Sequence, residues 1–311
     1  MIALVGDIGG TNLRLGLAEN GVVSQAWSKP CADFAGPMEA VAAFLHITGA
    51  KPARAVLAVT GPIRGGVAAQ ANNGWRFSES ELAGAGLGHV TLVNDFAALA
   101  LSIPHLSTEQ LTQIGGPPEG EPGAPLALIG PGTGLGIAAL IRTADGDIPL
   151  AGEGGHMGFA PFDTLEVEIA SRLAAGGERV SLETILSGPG LSRLHSALGE
   201  IEGRTWGRLG ASRIVQEALQ GDAACRATVQ RFWRILASAA GDVALLFGAA
   251  GGVYIGGGVA LRTAPLLQHD LFRQRFSAKG ARRAYLESTP AWLITDPMAA
   301  LAGAAQMALR L

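Results

Sequence analysis

ALVGDIGGTNLRLGLAENG (residues 3–21) and ALIGPGTGLGIAALIRTADG (residues 127–146) carry one pattern twice. Each runs from an apolar strand through a turn dense in Gly and Thr to a second apolar strand and a polar turn. Glycines in a strand-to-strand turn let the backbone reach positive φ and come close to a ligand. Successive N–H groups in such a turn form a concave anion site. A hairpin of this kind carried twice predicts two related lobes that hold one polyphosphate.

The rest of the chain fits that expectation. With 311 residues it is longer than one core comfortably supports, so two domains are expected. Hydrophobic residues make up 48% and charged residues 16%, which suits a well-buried α/β enzyme and argues against long disorder. A net charge of −3 gives no electrostatic reason to expect nucleic acid or an anionic membrane as partner. Cys31 and Cys225 are too few for a disulfide framework or a cysteine zinc site, and reduced thiols in a cytoplasmic protein are expected. Asp7 interrupts the apolar N-terminus, and no basic segment precedes it, so no signal peptide is read. Residues 243–261 carry no charge, but six glycines split them into a helix end, a strand and a turn, which rules out a spanning helix.

Residues 2–8, 13–18 and 22–27 read as strands, followed by a helix over 37–48 and the strand 55–59. A glycine-punctuated hairpin is expected over 62–77, a buried strand over 90–93 and a helix over 96–103 that stops at Pro104. GGPPEGEPG (115–123) is a surface loop near the start of the second lobe. Cys225, Val229, Phe232, Leu236, Ala240, Val243 and Phe247 step by four and three along one long amphipathic helix. Asp296 is a natural N-cap with Pro297 at the first helical position, which predicts a helix over 297–310 packed back on the first lobe.

Several stretches carry candidate chemistry. In DIGGTN (7–12), Asp7 follows a buried strand, while Gly9, Gly10 and Thr11 offer N–H groups and a hydroxyl. A carboxylate beside a phosphate cradle makes sense if Mg²⁺ or its waters neutralise the repulsion; an ordinary hairpin turn has the same composition. GPGTGLG (130–136) fits neither the dinucleotide fingerprint nor the P-loop. The only lysines are Lys29, Lys51 and Lys279, so a phosphate at either turn is held by amides, hydroxyls and metal. GGVYIGGGVA (251–260) places a triple glycine after a short strand, with room for a flat base or simply a tight connection. Asn94-Asp95 ends one strand and opens a helix, where either residue suits an N-cap. The carboxyl end of a strand is also where α/β ligand clefts lie and where a general base would stand. Glu153 and His156, in the loop GEGGH (152–156), suit hydrogen bonding to sugar hydroxyls better than metal, because no third ligand is near. Glu183 falls in the first turn of a helix, where a carboxylate favours the helix dipole.

Taken together, DIGGTN, VNDF around Asp95, GPGTGLGIA, GEGGHMGFAP, LSGPGL and GGVYIGGGV resemble the bacterial glucokinase family, ATP-dependent hexose kinases of the actin-like ATPase superfamily. Their order and joint presence over residues 5–260 are what make the resemblance specific. Related repressor-type sugar kinases carry a zinc site of clustered cysteines, and the two isolated cysteines here count against that branch.

The resemblance implies an α/β, two-lobed actin-like ATPase (ribonuclease H-like) fold, with a mixed sheet in each lobe and a cleft between them. Residues 1–105 with 297–311 would form the small lobe and 106–296 the large one. Asp95 would match the family's catalytic base, which takes the proton of the sugar's 6-hydroxyl. Asn94, Glu153, His156 and Glu183 would match its sugar ligands, together with Asp95. Asp7, Gly9, Gly10, Thr11 and Asn12 with Gly132, Thr133 and Gly134 would match the phosphate turns, and Gly256, Gly257 and Gly258 the adenosine side. Asp7 would hold Mg²⁺ through water. The implied ligands are a hexose, glucose foremost, with ATP and Mg²⁺; a homodimer in the cytoplasm is implied as well. The alternatives are a kinase of fructose, mannose or an N-acetylated amino sugar, or a sugar-sensing protein without catalysis.

Overall fold

The strand Ala3–Ile8 is buried along its whole length in the computed structural model, which describes residues 2–70, 73–204, 206 and 209–310. Its alternation separates two cores. Leu4 and Ile8 join a cluster with Leu13, Phe44, Leu57 and Phe77, whereas Ala3 and Val5 join one with Val56, Ala58, Ala98 and Leu301. A strand covered on both faces needs a near-continuous apolar run, and ALVGDI supplies one. Asp7 is the exception in that run.

The chain divides into two units. One comprises Met1–Ser107, Asp147–Ala151 and Asp296–Leu311; the other comprises Thr108–Gly146 and Gly152–Thr295. In the first, the strands follow the order Val22–Pro30, Asn12–Glu19, Ala3–Ile8, Arg54–Val59, His89–Asn94. The hairpin pairs are antiparallel, and the last two pairings are parallel. In the second, Leu135–Ile141, Leu126–Pro131, Gly252–Ile255, Ala291–Ile294 and Leu111–Gly115 lie side by side in that order. Its hairpin is antiparallel, with Leu126 opposite Leu140 and Pro131 opposite Leu135, and its first strand then pairs in parallel with Gly252–Ile255. Each repeated hairpin therefore sits at the same place in its sheet, with its return strand on one side and a parallel strand from later in the chain on the other. Both sheets are mixed and the class is α/β.

The strong periodic signals form the elements expected of them. The helix Pro37–Thr48 starts on Pro37 and stops at Gly49, whose φ of 65° is left-handed. The long helix is Ala223–Phe247, opened by Asp222, which accepts from the Cys225 N–H at 2.8 Å, and closed by left-handed Gly248. Residues 62–77 form short antiparallel strands, Ile63–Arg64, Val67–Ala69 and Arg76–Ser78, with residues 71 and 72 outside the described set. The uncharged stretch 243–261 is divided among the helix end, the strand Gly252–Ile255 and the helix Gly258–Thr263. Among the described residues no helix is long and apolar enough to cross a membrane.

The C-terminal helix is shorter than the sequence predicts. It spans Ala299–Ala308, and Met298, not Asp296, precedes it. Asp296 accepts from the Met298 N–H at 2.8 Å, so Asp296-Pro297 makes a separate turn ahead of the helix instead of its cap. The helix packs in the first unit on the helix Asp95–Ser102, through the small side chains Ala98, Ala304 and Ala305. Gly303 is the closest point, because a Cβ there would overlap the Ala98 carbonyl. Gly303→Ala is expected to lower stability by about 1–3 kcal/mol through overpacking. Thermal unfolding checks this, and an unchanged midpoint would mean that the two helices separate without cost.

Candidate functional site

Three parallel strands of the first unit end level with one another, since Ile8 pairs with Val59 and Val59 with Asn94. Ligand clefts of open α/β sheets lie at such carboxyl ends. Alternation then selects the side. Val56 and Ala58 face the small-residue core, so Thr60, two residues on, is directed the same way, as is Asp7 after Ala3 and Val5. Asp95 opens the helix at the end of the third strand.

The structure separates Asn94 from Asp95, which the sequence leaves equally suited to cap the helix. Asn94 is the N-cap, with its side-chain oxygen accepting from the Ala97 N–H at 3.0 Å. Its amide hydrogens remain for a ligand. Asp95 is held by both carboxylate oxygens: Thr60 Oγ1 donates to Oδ2 at 3.0 Å, and the Phe96 N–H donates to Oδ1 at 2.9 Å. Burial, then the Asp7 charge, push the Asp95 pKa up to about 6, against the pull of these hydrogen bonds. A half-buried carboxylate that still ionises at neutral pH can accept a proton from a hydroxyl.

Asp7 is buried, and desolvation raises its pKa while Arg14 lowers it. Arg14 Nη1 donates to Asp7 Oδ2 at 2.6 Å, a pairing the sequence analysis missed, although Arg14 lies directly across the hairpin from Asp7. In the DIGGTN turn most carbonyls are engaged. Gln70 Nε2 donates to the Ile8 carbonyl, Cys31 Sγ to that of Gly9 and the Cys31 N–H to that of Thr11. The Gly9 N–H closes the turn on the Asn12 carbonyl, while those of Gly10 and Thr11 have no acceptor among the described residues.

The second turn is built alike. The Gly132 carbonyl accepts from the Gly188 N–H at 2.8 Å and the Gly134 carbonyl from that of Gly132, also at 2.8 Å. The Leu135 N–H goes to Glu183 Oε2 at 2.8 Å, which leaves the N–H groups of Thr133 and Gly134. Turns that engage their carbonyls and leave N–H groups unengaged face anions. Positive φ is not how either turn achieves this: Gly9, Gly10, Gly132 and Gly134 all lie outside the left-handed region, contrary to the sequence expectation. Proximity accounts for Gly134, where a Cβ would meet the Glu183 carboxylate. Gly257 does have a φ of 88°, and a Cβ there would overlap the Pro131 carbonyl, so the triple-glycine turn lies against the second hairpin.

Within the second unit the predicted sugar ligands join this turn. Gly155 packs against the Leu135 carbonyl, where a side chain would not fit, which seats the loop carrying Glu153 and His156 beside the turn. The Leu182 N–H donates to the Met157 carbonyl at 2.8 Å and the Phe159 N–H to that of Val180 at 3.0 Å, which fixes the Glu183 segment to the same loop. Glu153 and His156 are exposed, ready for a ligand. Glu183 lies in the first turn of the helix Leu182–Ile185, as read, but its carboxylate also braces the glycine turn.

Among the described residues no three His, Cys, Asp or Glu side chains are grouped to hold a metal ion. A magnesium ion that keeps its waters and takes most of its ligands from phosphates needs only one or two carboxylates. Asp7 fits that requirement, since its Oδ1 is not engaged by Arg14.

A family model described as Glucokinase matches residues 4–311. The glucokinase of Caulobacter sp. (strain K31) is 44% identical over 310 residues, 98% of this chain and 94% of that one. The crystal structure of a glucokinase from an Antarctic psychrotroph superposes with a TM-score of 0.87 at 37% identity, covering 100% of this chain and 99% of that one. The glucokinase of Balamuthia mandrillaris, crystallised with glucose, shares the fold at a TM-score of 0.84 and 19% identity, over 100% of this chain and 94% of that one.

Proposed function

Because the chain belongs to the glucokinase family and is an ATP-dependent hexokinase, a phosphotransferase, we propose that Asp95 is the general base of its reaction with glucose. Asp95 takes the proton of the sugar's 6-hydroxyl as that oxygen attacks the γ-phosphorus of ATP, giving glucose 6-phosphate and ADP. The carrying observation is the aim of its carboxylate by Thr60 and the Phe96 N–H, at a pKa of about 6. Phosphoryl transfer asks little covalent chemistry of a protein, so positioning and charge neutralisation dominate. The N–H groups of Gly10, Thr11, Thr133 and Gly134 are the proposed phosphate donors, and Gly256 to Gly258 flank the adenosine.

Asp7 is the proposed residue for Mg²⁺, through water; the ion supplies neutralisation of phosphate charge. Arg14, paired to Asp7, opposes the upward shift that burial imposes on that carboxylate. Asn94 offers donors, and Glu153 and Glu183 offer acceptors for several hydroxyls at once. His156 contributes a ring nitrogen. A site assembled only when such a ligand set is filled discriminates against water, which cannot span it.

Product formation from ATP, Mg²⁺ and a panel of glucose, fructose, mannose and N-acetylglucosamine tests the proposal, with sugar-free ATP hydrolysis followed alongside. Glucose is expected to be phosphorylated fastest and sugar-free hydrolysis to be slow. A faster rate with another hexose would reassign the substrate, and transfer to none would leave a sugar sensor. Glu183→Gln separates the two roles of Glu183. Glutamine keeps an acceptor for the Leu135 N–H but loses the charge, so the glucose KM is expected to rise about tenfold with little change in melting temperature. A lower melting temperature with an unchanged KM would leave Glu183 as a brace alone.

A further inference from the structure

A cavity of about 400 Å³ opens in the second unit, away from the turns described above, against one side of the helix Gly188–Ile201. That volume lies within the range of small-molecule sites. Its lining is sorted by chemistry. Leu173 and Leu209 supply apolar surface, and Ser192 and Ser196, one helical turn apart, supply hydroxyls. Arg193 comes from the same helix, and Arg172 from the last turn of the helix Thr164–Leu173. Neither guanidinium has a carboxylate partner among the described residues, and Arg193 makes one hydrogen bond, to the Thr184 carbonyl at 3.1 Å. Glu200 lies two turns from Ser192 on the same helix face, also without a cation partner among those residues.

Two unpaired guanidiniums, two hydroxyls and an apolar wall in one cavity make a recognisable combination. Guanidinium forks match carboxylate and phosphate oxygens, serine hydroxyls add donors, and the leucines cover a carbon skeleton. We propose that this cavity binds a small organic anion, a carboxylate or phosphate monoester with an apolar body, at a site separate from those of sugar and nucleotide.

The site has a short route to the chemistry. Arg193 holds the carbonyl of Thr184, the neighbour of Glu183, and Ser187, at the start of the same helix, donates to the Glu183 carbonyl at 2.9 Å. The Gly188 N–H meanwhile holds the Gly132 carbonyl of the glycine turn. An anion that draws Arg193 toward itself competes for the guanidinium that steadies Thr184. Linkage then requires glucose and the anion to alter each other's affinity by one factor. This second step rests on Glu183 being a sugar ligand; the binding site does not.

Phenyl phosphate is a suitable probe, with phenol as its uncharged counterpart. Isothermal titration of the full chain with saturating ADP and Mg²⁺ keeps the glycine turns filled. Phenyl phosphate is expected to bind and phenol not, and Arg172→Gln and Arg193→Gln are each expected to weaken binding about tenfold, with weaker binding still at high salt. Both variants are expected to melt near the wild-type temperature, because these arginines are exposed. No heat from phenyl phosphate, or binding that both substitutions leave unchanged, overturns the site. A dissociation constant for the probe shifted at least twofold by saturating glucose supports the relay through Arg193, and one that glucose leaves unchanged overturns it. The binding measurement uses no turnover, so its failure is distinct from a failure of the kinase assignment.

Discussion

Asp95→Asn is expected to lower turnover by at least about 10²-fold while leaving glucose binding largely intact, the loss typical of a positioned base. Asparagine keeps its one oxygen for the Phe96 N–H, and its amide can donate to Thr60 Oγ1 in place of accepting from it, so the local geometry has little cause to change. What disappears is a group able to accept a proton. Two pH effects accompany the substitution. The wild-type kcat/KM should fall as pH drops through about 6, because protonated Asp95 cannot act as a base, and the variant's residual rate should lack that limb. Stability moves in the opposite sense. The folded pKa lies above the unfolded value of 3.8, so ionised Asp95 costs stability above about pH 6, and the cost fades as pH falls toward 4. The variant should therefore melt higher than wild type at pH 8, with the difference vanishing near pH 4. Near-normal turnover in the variant would reduce Asp95 to a structural role beside its neighbouring cap.

That division between Asn94 and Asp95 marks where the sequence stops being informative. The strands, the long helices and the two hairpins were legible because each is a local pattern of apolar spacing and turn residues. Whether a polar residue at a strand end caps a helix or faces a ligand depends on its partner, and the partner is remote in sequence. Thr60 is the instructive case. It follows the strand Arg54–Val59 just as Asp95 follows His89–Asn94, so the rule that singled out Asp95 applied equally to Thr60. Only the register, with Val59 beside Asn94, makes the two neighbours. Glu183 has the same history, being a first-turn carboxylate by sequence and the acceptor for Leu135 by tertiary contact. Asp296-Pro297 failed for another reason. A turn and a helix start use the same residues, and the two are separated only by what the following carbonyls bond to.

Glu166→Ala is expected to cost the second unit about 3–5 kcal/mol, the penalty for removing one partner from a buried ionic cluster. Glu166 is fully buried and accepts from Arg231 Nη1 at 3.0 Å, Arg275 Nη2 at 2.5 Å and the Phe162 N–H at 2.9 Å. Asp163 shares both arginines, at 2.6 and 3.3 Å, and caps the helix Thr164–Leu173. Arg234 adds a third guanidinium, whose buried Nε has no partner among the described residues. Deleting Glu166 leaves these cations with Asp163 alone, in a place water reaches poorly. The effect should extend to the proposed sugar ligands. Glu166 holds the Phe162 N–H, six residues after His156, and so anchors the far end of the loop that bears Glu153 and His156. A lower melting temperature with a raised glucose KM and a kcat near wild type is the expected signature, the reverse of Asp95→Asn. A double variant, Glu166→Met with Arg275→Met, tests the cause. If stranded charge is responsible, removing a cation together with the anion should recover part of the lost stability. If the double variant is less stable than Glu166→Ala, the cluster acts through its hydrogen bonds to Phe162 and the helix start, and the charge balance is secondary.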